Sequence, residues 1–357
     1  RMQAFGITPV LSGFSGQIPR NFKEKHPDVE FVAQGNWAGS GYQRPDMLRT
    51  YLKGDGVNYF DQMADAFYKA QQDVYGHVTN MYSVDPFHEG GNMGDMNATK
   101  VYEIIQNKMM QHDEDAIWLI QEWSGSIASN TQKLANLDKN HVIVLDLFSE
   151  VSPRNSALEN ADTPWIWNML HNFGGRMGLD GNPSKISQDI PETYEKSEHM
   201  VGIGMTPEAI ENSPMVYELL FDMTWTSDSI DYRKWTEDYA KRRYGGTNDE
   251  IKEAWELLLN TGYNEKSGYY QGAPESVFNT RPRTDFNSAS SWGHSAINYD
   301  KQELERAALL LANNYEQFKD SGAFIYDLSD VTRQVISNSA LDCYKAMMSA
   351  YNTKNLN

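Results

Sequence analysis

Trp165-Ile166-Trp167-Asn168-Met169-Leu170 is an apolar run with one amide in it, and it gives way at once to His171-Asn172-Phe173-Gly174-Gly175. A run this short, bounded by a polar, glycine-containing loop, reads as a strand covered on both faces rather than as a helix. Working outward, the same unit of short apolar run, polar loop and helical stretch recurs. The other runs are residues 7–11, 78–84, 116–120, 142–147 and 200–205. Between them lie amphipathic stretches such as 59–75 and 99–112, with apolar residues at three- and four-residue spacing. Strand–helix alternation of this kind predicts an α/β fold with a parallel sheet. No G-x-G-x-x-G or P-loop follows an early strand, which argues against a doubly wound nucleotide-binding sheet. Polar and aromatic residues crowd just after each run, where a (β/α)8 TIM-type barrel carries its active site. The barrel is partial, with about six strands, two short of the full number. A start inside the helix before the third strand accounts for the shortfall. Residues 1–5, closed by Gly6, read as the last turn of such a helix.

Past residue 213 the strand signal stops. Residues 214–225, 232–244, 249–259, 301–319 and 328–351 read as amphipathic helices, and 262–299, rich in Gly, Ser, Asn and Pro, as a long ordered loop. The expected organisation is a catalytic barrel over 1–213, incomplete at its N-terminus, then an all-α domain over 214–357. The chain has 357 residues with Lys+Arg 31 and Asp+Glu 49, a formal net charge of −18. Such a surface repels phosphate backbones, so nucleic acid is not an expected partner. No apolar stretch approaches the roughly 18 residues of a membrane helix. The single Cys343 rules out an internal disulfide and any multi-cysteine zinc site. Histidines at metal-site spacing and a G-x-S-x-G elbow are missing too, so neither a metal, a cofactor nor a serine nucleophile is expected.

Two strand ends carry carboxylates suited to proton transfer or attack. Asp85-Pro86-Phe87-His88-Glu89-Gly90-Gly91 follows the run 78–84, and its glycines let backbone approach a ligand closely. Glu89 is equally readable as a loop-solvating or capping residue. Gly202-Ile203-Gly204-Met205-Thr206-Pro207-Glu208 ends the last run, and Thr206-Pro207-Glu208 also has the pattern of a helix start. Two carboxylates across one barrel mouth are the apparatus of glycoside hydrolysis. Trp37, Trp123, Trp165 and Trp167 fall at or near strand ends, where an indole can stack on a sugar, although at least one of the last two is expected in the core. Trp118, mid-strand, reads as core. The loop His171-Asn172-Phe173-Gly174-Gly175 either offers polar contacts to a substrate hydroxyl or satisfies its own backbone. Asp146, inside an apolar run, reads as a buried structural carboxylate. Asn97-Ala98-Thr99 is a formal glycosylation sequon.

These segments resemble a known family. Gly6-Ile7-Thr8-Pro9-Val10-Leu11, Leu145-Asp146-Leu147-Phe148-Ser149-Glu150, the block from Trp165 to Gly175 and Gly202 to Glu208 together resemble the α-N-acetylglucosaminidases of glycoside hydrolase family 89. The similarity continues through Arg242-Arg243-Tyr244-Gly245 and Tyr326-Asp327-Leu328-Ser329-Asp330-Val331-Thr332-Arg333-Gln334, so it covers nearly the whole chain. It implies a retaining exo-glycosidase that removes terminal non-reducing α-linked N-acetylglucosamine, with Glu89 as acid/base and Glu208 as nucleophile. It further implies sugar contacts from Trp37, His88, Trp123, Trp167, Asn172 and Tyr217, and no cofactor. The expected partner is a mucin-type or heparan-type glycan. The expected setting is secreted, periplasmic or cell-surface, lysosomal in animal relatives. Two departures stand out: His88 where animal members carry Asn, and Glu122 in place of a Gly, expected to add charge near the pocket rim. A route through the substrate's own acetamide needs a carboxylate beside the acid, and His88 stands there instead. Family members are longer, so the chain is expected to be a fragment. The alternatives are a sugar-binding or inactive barrel fragment, or a glycosidase for another α-linked sugar.

Overall fold

The computed structural model describes residues 1–19, 21–33, 47–50, 55–87, 91–123, 125–172, 174, 176, 178–208, 212–264, 272–290 and 293–354. Two compact units emerge: Arg1–Asn168 with Ser197–Gly204, and Met169–Lys196 with Met205–Asn357.

In the first unit, β1 (Val10–Ser12) is followed by three short strands, β2 (Gln17–Pro19), β3 (Phe31–Ala33) and β4 (Met47–Thr50). Then come β5 (Met81–Ser83), β6 (Ile117–Glu122), β7 (Val142–Asp146), β8 (Trp165–Met169) and β9 (Met200–Met205). One six-stranded sheet has the order β1-β5-β6-β7-β8-β9, and its paired strands run parallel. Spatial order therefore follows chain order without reversal, as in a singly wound barrel and unlike a doubly wound sheet, whose order turns back at a switch point. Each apolar run overlaps its strand, with ends trimmed or shifted by a few residues. The turn before them is a 3-10 helix, Met2–Phe5, ended by Gly6 at φ 72°. The antiparallel sheet β2-β4-β3, between β1 and β5 in the chain, has no counterpart in the sequence reading.

Alternation along β6 and β7 sends every second side chain fully inside. Trp118, Ile120, Val144, Trp165 and Trp167 form that core with Phe60 and with Ile105 and Met109. The last two belong to the helix Ala98–His112, capped by the Asn97 side chain.

The second unit is helical over Pro183–Lys196, Pro214–Asp222, Tyr232–Tyr244, Asp249–Asn260, Lys301–Asn313, Tyr315–Phe318 and Gly322–Asn352. Asp231, Asn248, Asp300 and Ser321 cap four of these, each accepting a backbone N–H two or three residues ahead. Its core packs Leu219, Tyr239, Trp255, Leu311 and Phe324. Arg243 grips the buried Asp327 through two hydrogen bonds of 2.7 and 2.9 Å, and the Tyr244 hydroxyl donates to the same carboxylate at 2.8 Å. Among the described residues of 262–299, the one regular element is the 3-10 turn Val277–Asn279. No helix among the described residues is long and apolar enough to cross a membrane.

Candidate active site

Immediately beyond β8, His171 takes the left-handed backbone region at φ 67°, a conformation that costs a non-glycine residue of order 1–3 kcal/mol and clusters at functional sites. Its ring is buried. Burial pulls the imidazole below its usual range, against the Asp180 carbonyl and Asn212. The neutral ring donates from Nε2 to the Asp180 carbonyl at 3.0 Å, which leaves Nδ1 as an acceptor. The Tyr217 hydroxyl lies 3.3 Å from Nδ1, with the two rings edge-on at 5.2 Å. Tyr217, on the helix Pro214–Asp222, is half-buried, and the same Nδ1 lies 3.4 Å from Asn212 Oδ1.

Asn172 has no exposure at all. Its amide nitrogen donates to the Arg176 carbonyl. Gly272, at φ 96°, packs so closely that a Cβ there would sit 2.0 Å from Asn172 Oδ1. Of the two readings open for this loop, backbone satisfaction is the one Asn172 performs here. Gly174 N–H donates to Glu208 Oε2 at 2.6 Å. Glu208 is exposed and stands three residues past β9, whose line continues through Thr206 N–H to the Met169 carbonyl at 2.8 Å. Residues 206–208 lie outside any helix, and the next described helix begins at Pro214 behind Ser213, so the helix-start reading of Thr206-Pro207-Glu208 is corrected. The carboxylate is held from β8's loop instead.

Arg176, also buried, places Nε 3.5 Å from Glu275 Oε1. Glu275 accepts from Ala289 N–H at 2.6 Å, Ser290 N–H at 3.1 Å and the Ser290 hydroxyl at 2.6 Å. Burial pushes Asp180 up to about 7, opposed by the Gly181 N–H and Arg176. The sequence reading stopped short of Arg176, Asp180 and Glu275. Arg176 directly follows the quoted block, a usable signal, whereas Glu275 sits in a stretch whose composition says only loop.

In the first unit, Trp123 directly follows β6, half-buried, 6.3 Å from the Phe148 ring. Trp165 and Trp167 are both fully buried, so the core position foreseen for one of them holds for both. Glu122 is 2% exposed and accepts the N–H groups of Ile127 and Ala128 at 2.5 and 2.8 Å; this corrects its expected place on the pocket rim. Asp146 faces Glu122 across the β6–β7 register and is buried as expected. Asp85 accepts Gln121 N–H at 2.9 Å. Trp37, His88 and Glu89 lie outside the described residues.

Comparison with known proteins matches residues 1–227 to the alpha-N-acetylglucosaminidase tim-barrel domain and 235–357 to the C-terminal domain of the same family. The chain is 30% identical to human alpha-N-acetylglucosaminidase, with all of this chain and 48% of that protein aligned. Among solved structures, a Clostridium perfringens family 89 enzyme variant in complex with its substrate GlcNAc-alpha-1,4-galactose superposes with TM-score 0.94 at 55% identity, covering 99% of this chain and 40% of that one. A family 89 glycoside hydrolase from the same organism in complex with PUGNAc gives TM-score 0.93 at 56% identity, with the same coverage. The chain thus spans less than half the length of these relatives.

Proposed function

This chain belongs to the α-N-acetylglucosaminidase family, glycoside hydrolase family 89, and from that premise we propose that it removes terminal non-reducing α-linked N-acetylglucosamine from glycans with retention of configuration. Its catalytic part is the barrel over 1–213, followed by the helical domain over 214–357. The observation that carries the reading is the 2.6 Å hydrogen bond from Gly174 N–H to Glu208. It takes one carboxylate oxygen as acceptor and orients the other. A nucleophile held this way spends little of its freedom in reaching the attack geometry.

Glu89, protonated, donates to the leaving glycosidic oxygen while ionised Glu208 attacks the anomeric carbon. Glu89, now a base, activates the water that releases the sugar. This double displacement calls for carboxyls roughly 5–5.5 Å apart. Tyr217, its hydroxyl 3.3 Å from His171 Nδ1, offers a polar contact to the sugar. Trp37, His88, Trp123, Trp167 and Asn172 complete the proposed sugar contacts, Trp167 and Asn172 from buried positions. The Clostridium relative's substrate, GlcNAc-alpha-1,4-galactose, supports a neutral, mucin-type glycan as the class of target.

The test is hydrolysis of an aryl α-N-acetylglucosaminide by the full chain beside Glu208→Ala, with and without azide. The variant is expected to lose at least about 10³-fold in kcat, as removal of a covalent nucleophile does. Azide should restore turnover and yield a glycosyl azide of inverted configuration. An unchanged rate in the variant sinks the assignment.

A further inference from the structure

We propose that Arg176 is a positioning residue for Glu208, clamped from behind by Glu275 so that its cation and the Gly174 N–H act on the carboxylate together. The inference rests on reading Glu208 as the nucleophile.

Four observations carry it. Gly174, two residues before Arg176, donates to Glu208 Oε2. The Arg176 carbonyl receives the amide of Asn172, a side chain with no exposure and with Gly272 pressed against it. One buried amide therefore ties the backbone that carries the Gly174 donor to the backbone that carries the guanidinium. Arg176 Nε is 3.5 Å from Glu275 Oε1, and both side chains are 5% exposed. Glu275 in turn is anchored by two backbone N–H groups and the Ser290 hydroxyl, and Gly293 fits over it so tightly that a Cβ would lie 2.1 Å from its carboxyl carbon.

That degree of anchoring is out of proportion to a plain ion pair. A buried arginine–carboxylate pair stabilises a fold poorly, because desolvation offsets the attraction. It does hold a charge at a fixed place. Burial pulls Arg176 below the usual arginine range, and the carboxylates of Glu275, Asp180 and Glu208 each oppose that, so Glu208 lies within its field. His294, pulled down by burial and by Arg176, and His171, neutral on the other side of the loop, add no competing cation. Asp180, raised to about 7, draws less on the guanidinium than an ordinary carboxylate does. A cation held this way fixes where the carboxylate sits before attack.

The experiment compares Arg176→Met, Arg176→Lys, Glu275→Gln and Glu208→Ala in the full chain, reading kcat and KM for an aryl α-N-acetylglucosaminide and checking folding by circular dichroism. Arg176→Met should lose on the order of 10²-fold in kcat, the scale set by misplacing a reacting group by about 1 Å, with KM within about threefold of the original. Arg176→Lys, which keeps the charge and loses the fork, should recover most of kcat. Equal losses in the Met and Lys variants mean that the guanidinium only holds the fold, and overturn the proposal. If Arg176→Met fails to fold, Glu275→Gln decides: a kcat reduced several-fold at constant KM supports the clamp, and an unchanged kcat overturns it. Azide rescue of Glu208→Ala separates the two levels. Rescue with an unaffected Arg176→Met sinks this inference alone, whereas full activity of Glu208→Ala removes the reading beneath it.

Discussion

At the scale of single residues, the carboxylates at the strand ends have taken different tasks according to where water is excluded. Asp146 is 1% exposed, its Oδ2 accepts Arg154 N–H at 2.8 Å, and burial, with Glu122 adding to it, pushes its carboxyl up to about 6. A carboxyl raised in the folded state is favourable while protonated. Its contribution is whole below pH about 4 and fades as pH rises through about 6. The Asp146→Asn variant keeps an oxygen for the Arg154 N–H and sheds the charge. Its stability relative to the original chain should therefore improve by about 2 kcal/mol between pH 4.5 and pH 7, read from urea midpoints at the two pH values. A constant difference across that range would mean Asp146 does not titrate there. Asp146 was legible because a charged residue inside an apolar run has few options. Glu122 was not, since its partners are backbone amides five and six residues ahead in a stretch without helical periodicity. Glu208 showed its place at a strand end, while its hold on Gly174 depends on a loop folding back across 34 residues of sequence.

Elements were easier to read than contacts, and the misses have physical causes. Six apolar runs became six strands; burial accounts directly for β6, β7 and β8, whose enclosed residues composition displays, while β1 and β9 are apolar even at exposed positions such as Val10 and Val201. The strands β2, β3 and β4 are three or four residues each, too short to show a period. The last helix starts at Gly322 rather than near 328, because Ser321 caps it through Phe324 N–H at 3.3 Å and a serine–glycine pair otherwise reads as loop. The stretch 301–319 breaks at Asn314, whose side chain donates to Glu250 at 2.7 Å and to the Leu310 carbonyl at 2.8 Å. Strand β9 shows what glycine supplies to an element. A Cβ on Gly204 would lie 2.4 Å from Asn168 Oδ1 and 3.2 Å from Ile166 Cγ2, and Asn168 is itself buried. Gly204→Ala should therefore cost about 1–3 kcal/mol by overpacking, measurable as a lower thermal midpoint. Gly202, whose nearest contact would be an ordinary 3.7 Å to Ile166, should accept alanine at a much smaller cost. Equal effects at the two positions would show that strand propensity, not contact with β8, sets the requirement.

For the whole molecule the governing quantity is charge, and it bears on which glycan the proposed activity would accept. A formal net charge of −18 makes the chain's overall potential negative, which disfavours the approach of sulfated or carboxylated chain ends and leaves neutral ones unaffected. Net charge favours a neutral target for the proposed activity, in line with the neutral disaccharide bound by the Clostridium relative. It is testable because exposed charges are screened: the Debye length falls from roughly 30 Å at 0.01 M to about 8 Å at 0.15 M ionic strength. Over that range kcat/KM for a neutral aryl α-N-acetylglucosaminide should stay level. For an oligosaccharide with a sulfate or uronate next to the terminal N-acetylglucosamine it should rise several-fold, because screening lifts a repulsion that acts on encounter. Buried Arg176, already engaged by Glu275, is too enclosed to reverse that trend from inside the site. A kcat/KM that falls with salt for the anionic substrate would require a local positive surface strong enough to override the net charge, and would favour heparan-type ends as the proposed target.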